Sequence, residues 1–210
     1  MPSEKRMLSI TAVLITLLLA EFIGLFADPN THLYALTPYL NSIWMRLITD
    51  SASFAAFVIY ILLFALYDIK KTGKVGRWTL RFVLSLFTGM VIVGVLKVLF
   101  GVPRPGEPFL RRALLKADYF AFPSGHATRA SILAYSLGKR FPKYRPLWWA
   151  YAILVALSRL FLHVHWFSDV LFGLLLGPWV LMLVEATEAL WLPIYNSIMQ
   201  KLKLEVFRVE

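Results

Sequence analysis

The sequence of 210 residues has no cysteine, one glutamine and three asparagines, and its 12 acidic residues are outnumbered by 22 lysines and arginines. The absence of cysteine excludes disulfides and thiol chemistry. No stretch rich in serine, glycine and proline separates two halves, and no repeat is evident. A chain of this length without a linker predicts one domain over residues 1–210.

Apolar residues are what the chain has in excess. Hydrophobic residues make up 59% of it and the mean hydropathy is +0.68, which is more than the surface of a soluble domain tolerates. Six apolar segments have, or nearly have, the roughly 20 residues that a helix needs to cross a hydrocarbon core. They lie at about 8–27, 47–67, 80–100, 125–139, 147–164 and 169–191. We therefore predict an all-α membrane protein with six transmembrane helices.

Basic residues are unevenly distributed between the two ends of these segments. Fourteen of the 22 fall within residues 5–6, 70–81, 139–145 and 201–208, which six spans would place on one side of the membrane. Lysine and arginine near helix ends favour the cytoplasmic side. We predict a multi-pass protein of a prokaryotic plasma membrane with both termini in the cytoplasm. Nothing in this charge pattern points to nucleic acid.

Three short runs carry most of the remaining polar chemistry. They place three fixed cations, two histidines and one carboxylate near the ends of apolar segments, an unfavourable arrangement unless an anion lies among them. All three map to the side opposite the basic loops, so a phosphate site facing outward is predicted. The runs are Lys97-x6-Arg104-Pro105, Pro123-Ser124-Gly125-His126 and Ser158-Arg159-x5-His165-x3-Asp169.

These runs resemble, without gap or substitution, the motifs of the type 2 phosphatidic acid phosphatase (PAP2) superfamily of integral membrane lipid phosphatases. The motif-bearing region is 97–169. The resemblance implies a six-helix bundle with its active site at the non-cytoplasmic membrane interface. It also implies that His165 is the nucleophile of a phosphohistidine mechanism and that His126 protonates the leaving oxygen and later deprotonates water. No cofactor or metal is implied.

The residue types agree with that chemistry. Lys97, Arg104 and Arg159 can bind the oxygens of a phosphoryl group in transfer. Ser124 and Gly125 precede an apolar helix, so backbone N–H groups there would face an anion.

His165 and Asp169 are four residues apart, which puts both side chains on one helical face if the sixth segment begins near them. The carboxylate could then hold one imidazole nitrogen and leave the other as nucleophile. A metal site formed by His163, His165 and Asp169 is disfavoured, because three nearby cations would repel a metal ion.

The roles of Arg129 and of the basic residues in 106–120 each have two possible interpretations. Arg129 lies one turn deeper than His126 and could pair with Asp50 or Glu21, or could contact the second phosphate of a diphosphate substrate. Residues 106–120 could form an amphipathic piece on the membrane that collects anionic head groups, or a solvated loop. The basic residues of that segment are Arg111, Arg112 and Lys116.

The expected partners are a lipid phosphate or diphosphate substrate and membrane lipids, and no obligate protein partner is evident. The favoured reaction is hydrolysis of a polyprenyl diphosphate to the monophosphate, with phosphatidylglycerophosphate or phosphatidic acid as the alternative substrates. A transporter or binding bundle for phosphate lipids is a non-enzymatic alternative, which leaves the spacing of His165 and Asp169 unexplained. Close helix packing is expected at Gly89, Gly94, Gly173 and Gly177.

Overall fold

The computed structural model describes residues 2–107 and 119–209. All the regular elements in these ranges are helical, in agreement with the predicted all-α class. The α-helices are α1 Pro2–Phe22, α2 Ala27–Leu36, α3 Ile43–Asp50, α4 Phe54–Thr72, α5 Arg77–Phe100, α6 Gly125–Arg140, α7 Arg145–Phe161, α8 Phe167–Ala186 and α9 Glu188–Lys201. Short 3-10 helices cover Pro142–Tyr144 and Glu205–Phe207.

The predicted number of six membrane-spanning helices is not confirmed. Within the described residues, only α5 and α8 are by themselves long and apolar enough to cross a membrane. Two bent pairs also qualify if each is counted as one span: α1 with α2, bent by 90°, and α3 with α4, bent by 52°. The structure thus contains two to four candidate spans by length and composition.

The apolar segment predicted at about 47–67 is divided between two helices, α3 and α4, which are bent by 52° relative to each other. Helix α3 ends at Asp50, and Ser53 caps a new helix by accepting a hydrogen bond from the Ala56 backbone N–H at 3.2 Å. Serine and aspartate stabilise helix ends better than helix interiors, so the run from Asp50 to Ser53 separates two helices. The first segment also ends early, at Phe22, and the following turn contains Gly24 with a φ of 74°.

Helix α6 is the centre of the bundle. Eleven of its 16 residues are buried, and it packs against α5, α7 and α8. The contact with α8 is closest at Gly177, where an added Cβ would lie 2.1 Å from Ser131 Oγ, and at Gly173, where it would lie 2.7 Å from Ser124 O. Close packing is therefore confirmed at these two positions. It is wrong for Gly94, which has nothing within 4 Å of the same point.

The two ends of the bundle differ in their polar chemistry. One end is held by ion pairs, of which Arg81 with Glu188 at 2.5 Å and Lys139 with Glu185 at 2.6 Å are the shortest. Because consecutive helices alternate in direction, the opposite end collects the C-terminal ends of α5 and α7 and the N-terminal ends of α6 and α8. The three sequence motifs lie at these four helix ends, so folding brings them together.

Candidate active site

The first motif supplies two cations that are held by the segment preceding α6. Lys97 lies buried in the last turn of α5, and its ammonium group donates a hydrogen bond to the carbonyl oxygen of Phe120. Arg104 follows in the connecting loop and donates from Nε to the carbonyl of Tyr119 at 3.3 Å. Loop backbone carbonyls therefore orient both positive groups.

The second motif begins α6 as the sequence predicts. Ser124 is the N-cap residue, and its hydroxyl accepts from the Ala127 backbone N–H at 3.5 Å. Its own backbone N–H donates to the carbonyl of Asp169 at 3.0 Å, which joins the starts of α6 and α8. Gly125 and His126 are the first two residues of the helix, where backbone N–H groups favour a bound anion.

The third motif contributes Arg159 from the last turn of α7. Its side chain is buried, and Nη1 donates to the hydroxyl of Thr49 on α3 at 2.6 Å. The chain then reverses through His163, whose φ is 54° and whose Nε2 lies 2.9 Å from the carbonyl of Thr37. The ring of His163 packs on Tyr34 with 4.4 Å between centroids. These contacts give His163 a structural role.

His165 and Asp169 make the predicted contact, but not from a common helical face. Helix α8 begins only at Phe167, so His165 precedes its N-cap residue, Trp166. The Nδ1 of His165 lies 3.0 Å from Oδ2 of Asp169, and that oxygen also accepts from the Trp166 backbone N–H at 2.7 Å. The carboxylate thus caps α8 and binds the imidazole at the same time. Nδ1–H as the donor leaves the lone pair on Nε2.

The surroundings of His165 keep its imidazole neutral. Burial lowers its pKa well below the usual range, and the positive charges of Arg159 and Lys97 lower the pKa further. A neutral ring with one nitrogen tied to a carboxylate is the state that a nitrogen nucleophile requires.

A cavity of about 480 Å³ joins most of these groups. Ser124 and Asp169 lie behind its wall, where they position the groups that face it. Among the described residues, no cluster of three or more histidine, aspartate or glutamate side chains is arranged to hold a metal ion. The motif residues that line the cavity are Lys97, Arg104, Gly125, His126, Arg159 and His165.

Arg129 also lines this cavity, on the side formed by α4 and α5. It is buried, Nε donates to the carbonyl of Ala52 at 2.8 Å, and the guanidinium lies 4.1 Å from the ring centroid of Phe54. Its pairing with Asp50 or Glu21 stays a prediction. Arg111, Arg112 and Lys116, the other accessory residues suggested by sequence, lie outside the described residues.

The sequence motifs gave no indication of Asn30 in α2. Its Nδ2 donates to the hydroxyl of Ser168 at 2.9 Å, and its Oδ1 accepts from the Ser168 backbone N–H at 3.1 Å. Both side chains are buried. Asn30 therefore fixes the first turn of α8, which carries Asp169. The scarcity of asparagine was the one available signal in the sequence, because the chain has only three asparagines.

Comparison with known proteins finds a family and relatives that this chain resembles. A sequence model of the PAP2 superfamily matches residues 78–188. The chain is 33% identical over 126 residues to an undecaprenyl-diphosphatase of Sulfolobus acidocaldarius, covering 57% of this chain and 58% of that protein. It is 35% identical over 86 residues to phosphatidylglycerophosphatase B of Bacillus subtilis, covering 36% of this chain and 42% of that protein. These matches therefore span roughly half of the length of either relative.

Among solved structures, the fold is similar to a transmembrane PAP2 type phosphatidylglycerolphosphate phosphatase from Bacillus subtilis. The TM-score is 0.69 at 23% identity, and the superposition covers 87% of this chain and 96% of that one. At this identity the similarity establishes the helical fold, which extends well beyond the matched motifs.

Proposed function

This chain belongs to the PAP2 superfamily, and we propose that it is a membrane lipid phosphatase that works through a covalent phosphohistidine. The observation that carries the proposal is the buried contact between His165 Nδ1 and Asp169 Oδ2 at 3.0 Å, beside a cavity lined by several cations. A protein that only bound or moved phosphate would need the cations but not a histidine oriented by a carboxylate.

In the first step the Nε2 lone pair of His165 attacks the phosphorus atom. Lys97, Arg104 and Arg159 neutralise the charge that spreads over the phosphoryl oxygens. As the bond from phosphorus to the lipid oxygen breaks, His126 gives that oxygen its proton. Asp169 stabilises the charge that develops on the His165 ring.

In the second step His126, now neutral, accepts a proton from a water molecule. The water oxygen attacks phosphorus, the phosphorus–nitrogen bond breaks, and inorganic phosphate leaves. Neither step routes electrons or protons through a metal ion, since the three cations supply the positive charge.

The favoured substrate is a polyprenyl diphosphate, which would be converted to the monophosphate. The similarity to the undecaprenyl-diphosphatase supports this choice. Phosphatidylglycerophosphate is the alternative supported by the similarity to phosphatidylglycerophosphatase B. We also propose that the site faces away from the cytoplasm, because basic residues such as Lys139 and Arg81 concentrate at the opposite end of the bundle.

The test is phosphate release by purified protein in detergent with EDTA. The lipid panel contains a polyprenyl diphosphate, phosphatidylglycerophosphate and phosphatidic acid. We expect EDTA-resistant release that His165→Ala abolishes, while His32→Ala, at an exposed histidine of α2, releases phosphate like the parent chain. Equal release by His165→Ala would refute the histidine mechanism. Binding of these lipids without any release would favour a transporter or binding protein.

A further inference from the structure

The cavity has a further basic residue that the proposed mechanism does not use. Arg129 is 3% exposed and lines the cavity from α6. The hydrogen bond from Nε to Ala52 O, at 2.8 Å, and the Phe54 ring hold its guanidinium in place. A β-carbon added at Gly125 would lie 3.6 Å from Arg129 Nη1, so the guanidinium reaches back to the first residue of α6. A fixed cation and the start of a helix thus lie side by side.

His126 and Arg129 lie about one turn apart on α6, and both line the cavity together with His165. The proposed general acid therefore shares the first turns of α6 with Arg129 and faces the same cavity.

Next to Arg129 the wall is mostly apolar. It is formed by Phe54 of α4 and by Met90, Val93 and Gly94 of α5. Gly94 has no neighbouring atom within 4 Å of the position of an added Cβ. The lining of the cavity therefore combines the proposed nucleophile, the proposed acid, a further cation and an apolar surface.

These groups correspond to the parts of a lipid diphosphate, which are two phosphates, the oxygen that bridges them and an apolar chain. We propose that Arg129 binds the phosphate that stays on the lipid, so that the site is built for diphosphates. The inference rests on the proposed phosphatase function. With the terminal phosphate at His165, the bridging oxygen lies at His126, the second phosphate at Arg129 and the chain along the apolar wall. A monophosphate ester would instead place an uncharged alcohol carbon beside Arg129.

The chemical step explains why a cation is needed there. Nε2 of His165 forms a bond to the terminal phosphorus, and the bond from that phosphorus to the bridging oxygen breaks. Its electron pair stays on the bridging oxygen, which takes the proton from His126. The leaving group is thus a lipid monophosphate, and Arg129 stabilises the negative charge that it carries away.

The experiment compares two lipids that differ only by one phosphate, geranylgeranyl diphosphate and geranylgeranyl monophosphate. Phosphate release is measured for the parent chain, Arg129→Gln and Arg129→Lys. A charged hydrogen bond of ordinary strength predicts that Arg129→Gln lowers kcat/KM for the diphosphate about 10- to 100-fold. We expect a change of less than about threefold for the monophosphate, and partial recovery of the diphosphate activity in Arg129→Lys.

Arg140→Gln is the matched control. Arg140 lies on the same helix, and its guanidinium also rests on an aromatic ring, 4.5 Å from the Trp78 centroid, but at the opposite end of the bundle. Its substitution should leave the ratio of the two activities unchanged. Equal losses on both lipids in Arg129→Gln would overturn the inference and leave the phosphatase proposal standing. No release from either lipid by the parent chain would overturn the inference, and no release from any lipid of the earlier panel would overturn the phosphatase proposal as well.

A second readout does not require the monophosphate to be a substrate. Geranylgeranyl monophosphate, as the leaving product, should inhibit diphosphate hydrolysis by binding at Arg129. Arg129→Gln should weaken this inhibition about 10-fold or more, by loss of the same charged contact, while inhibition by inorganic phosphate stays unchanged. If Arg129→Gln weakens inhibition by geranylgeranyl monophosphate and by inorganic phosphate to the same extent, a separate role for Arg129 is contradicted.

Discussion

Asn30 and Ser168 exchange two hydrogen bonds although 138 residues separate them. The amide oxygen of Asn30 accepts from a backbone N–H in the first turn of α8, where the helix itself provides no partner. The next residue is Asp169, whose carboxylate holds His165. A side chain of the N-terminal part of the chain, outside the region that carries the motifs, thus supports the orientation of the proposed nucleophile.

Asn30→Ala should therefore lower both stability and turnover. Loss of a cap typically reduces the free energy of unfolding by about 1 kcal/mol. We expect a lower Tm in detergent and a lower kcat with little change in KM. Asn41→Ala is the control, because that asparagine is exposed and contacts Arg46. An unchanged kcat in Asn30→Ala would show that α8 holds Asp169 without this cap.

Asp169→Asn should show that Asp169 acts on His165 and is not needed only for the stability of the fold. The amide can still accept from the Trp166 backbone N–H, so Tm should change little. It no longer stabilises the charged ring of His165, and by analogy with aspartates of similar role we expect kcat to fall on the order of 10²- to 10⁴-fold. The measurement is a single-turnover assay of phosphoenzyme formation. A kcat within about threefold of the parent value, well short of that range, would rule out the assigned role.

Gly177→Ala should destabilise the bundle more than Gly94→Ala. At Gly177 the added methyl group meets Ile132 N at 2.6 Å as well as Ser131 Oγ, so backbone must move, whereas at Gly94 there is open space. Overpacking of this kind costs about 1–3 kcal/mol. Thermal denaturation of both variants, followed by helical circular dichroism, checks the order. Equal Tm values would show that α6 and α8 separate without loss of stability.

The absence of cysteine allows the orientation to be tested by single thiols. Asp28→Cys lies in α2 near the end that carries the site, and Lys143→Cys lies at the basic end; both positions are exposed. In intact cells, a maleimide that does not cross membranes should label Asp28→Cys, and it should label Lys143→Cys only after permeabilisation. The reverse pattern would place the site in the cytoplasm.

Sequence alone could predict the helical class and the residues that gather at the site, because the three motifs fix residue type and spacing locally. It could not predict the break between Asp50 and Ser53, because hydropathy carries no information about the capping of a new helix. It also could not show that His165 precedes α8, because spacing i to i+4 fits both a helical face and a cap. The contact of Asn30 with Ser168 depends on tertiary packing and leaves no local pattern.

Helix α6 is shorter than the hydrocarbon layer of the membrane in which it would lie. Its 16 residues rise about 24 Å, against a hydrocarbon thickness of roughly 30 Å. If Arg140 marks the inner boundary, Ser124 lies about 6 Å below the outer one. The head group of a lipid would then have to sink by about one helical turn and lose part of its hydration before reaching His126. Bilayer thickness would thereby control turnover, with thin membranes bringing phosphate and site to the same depth.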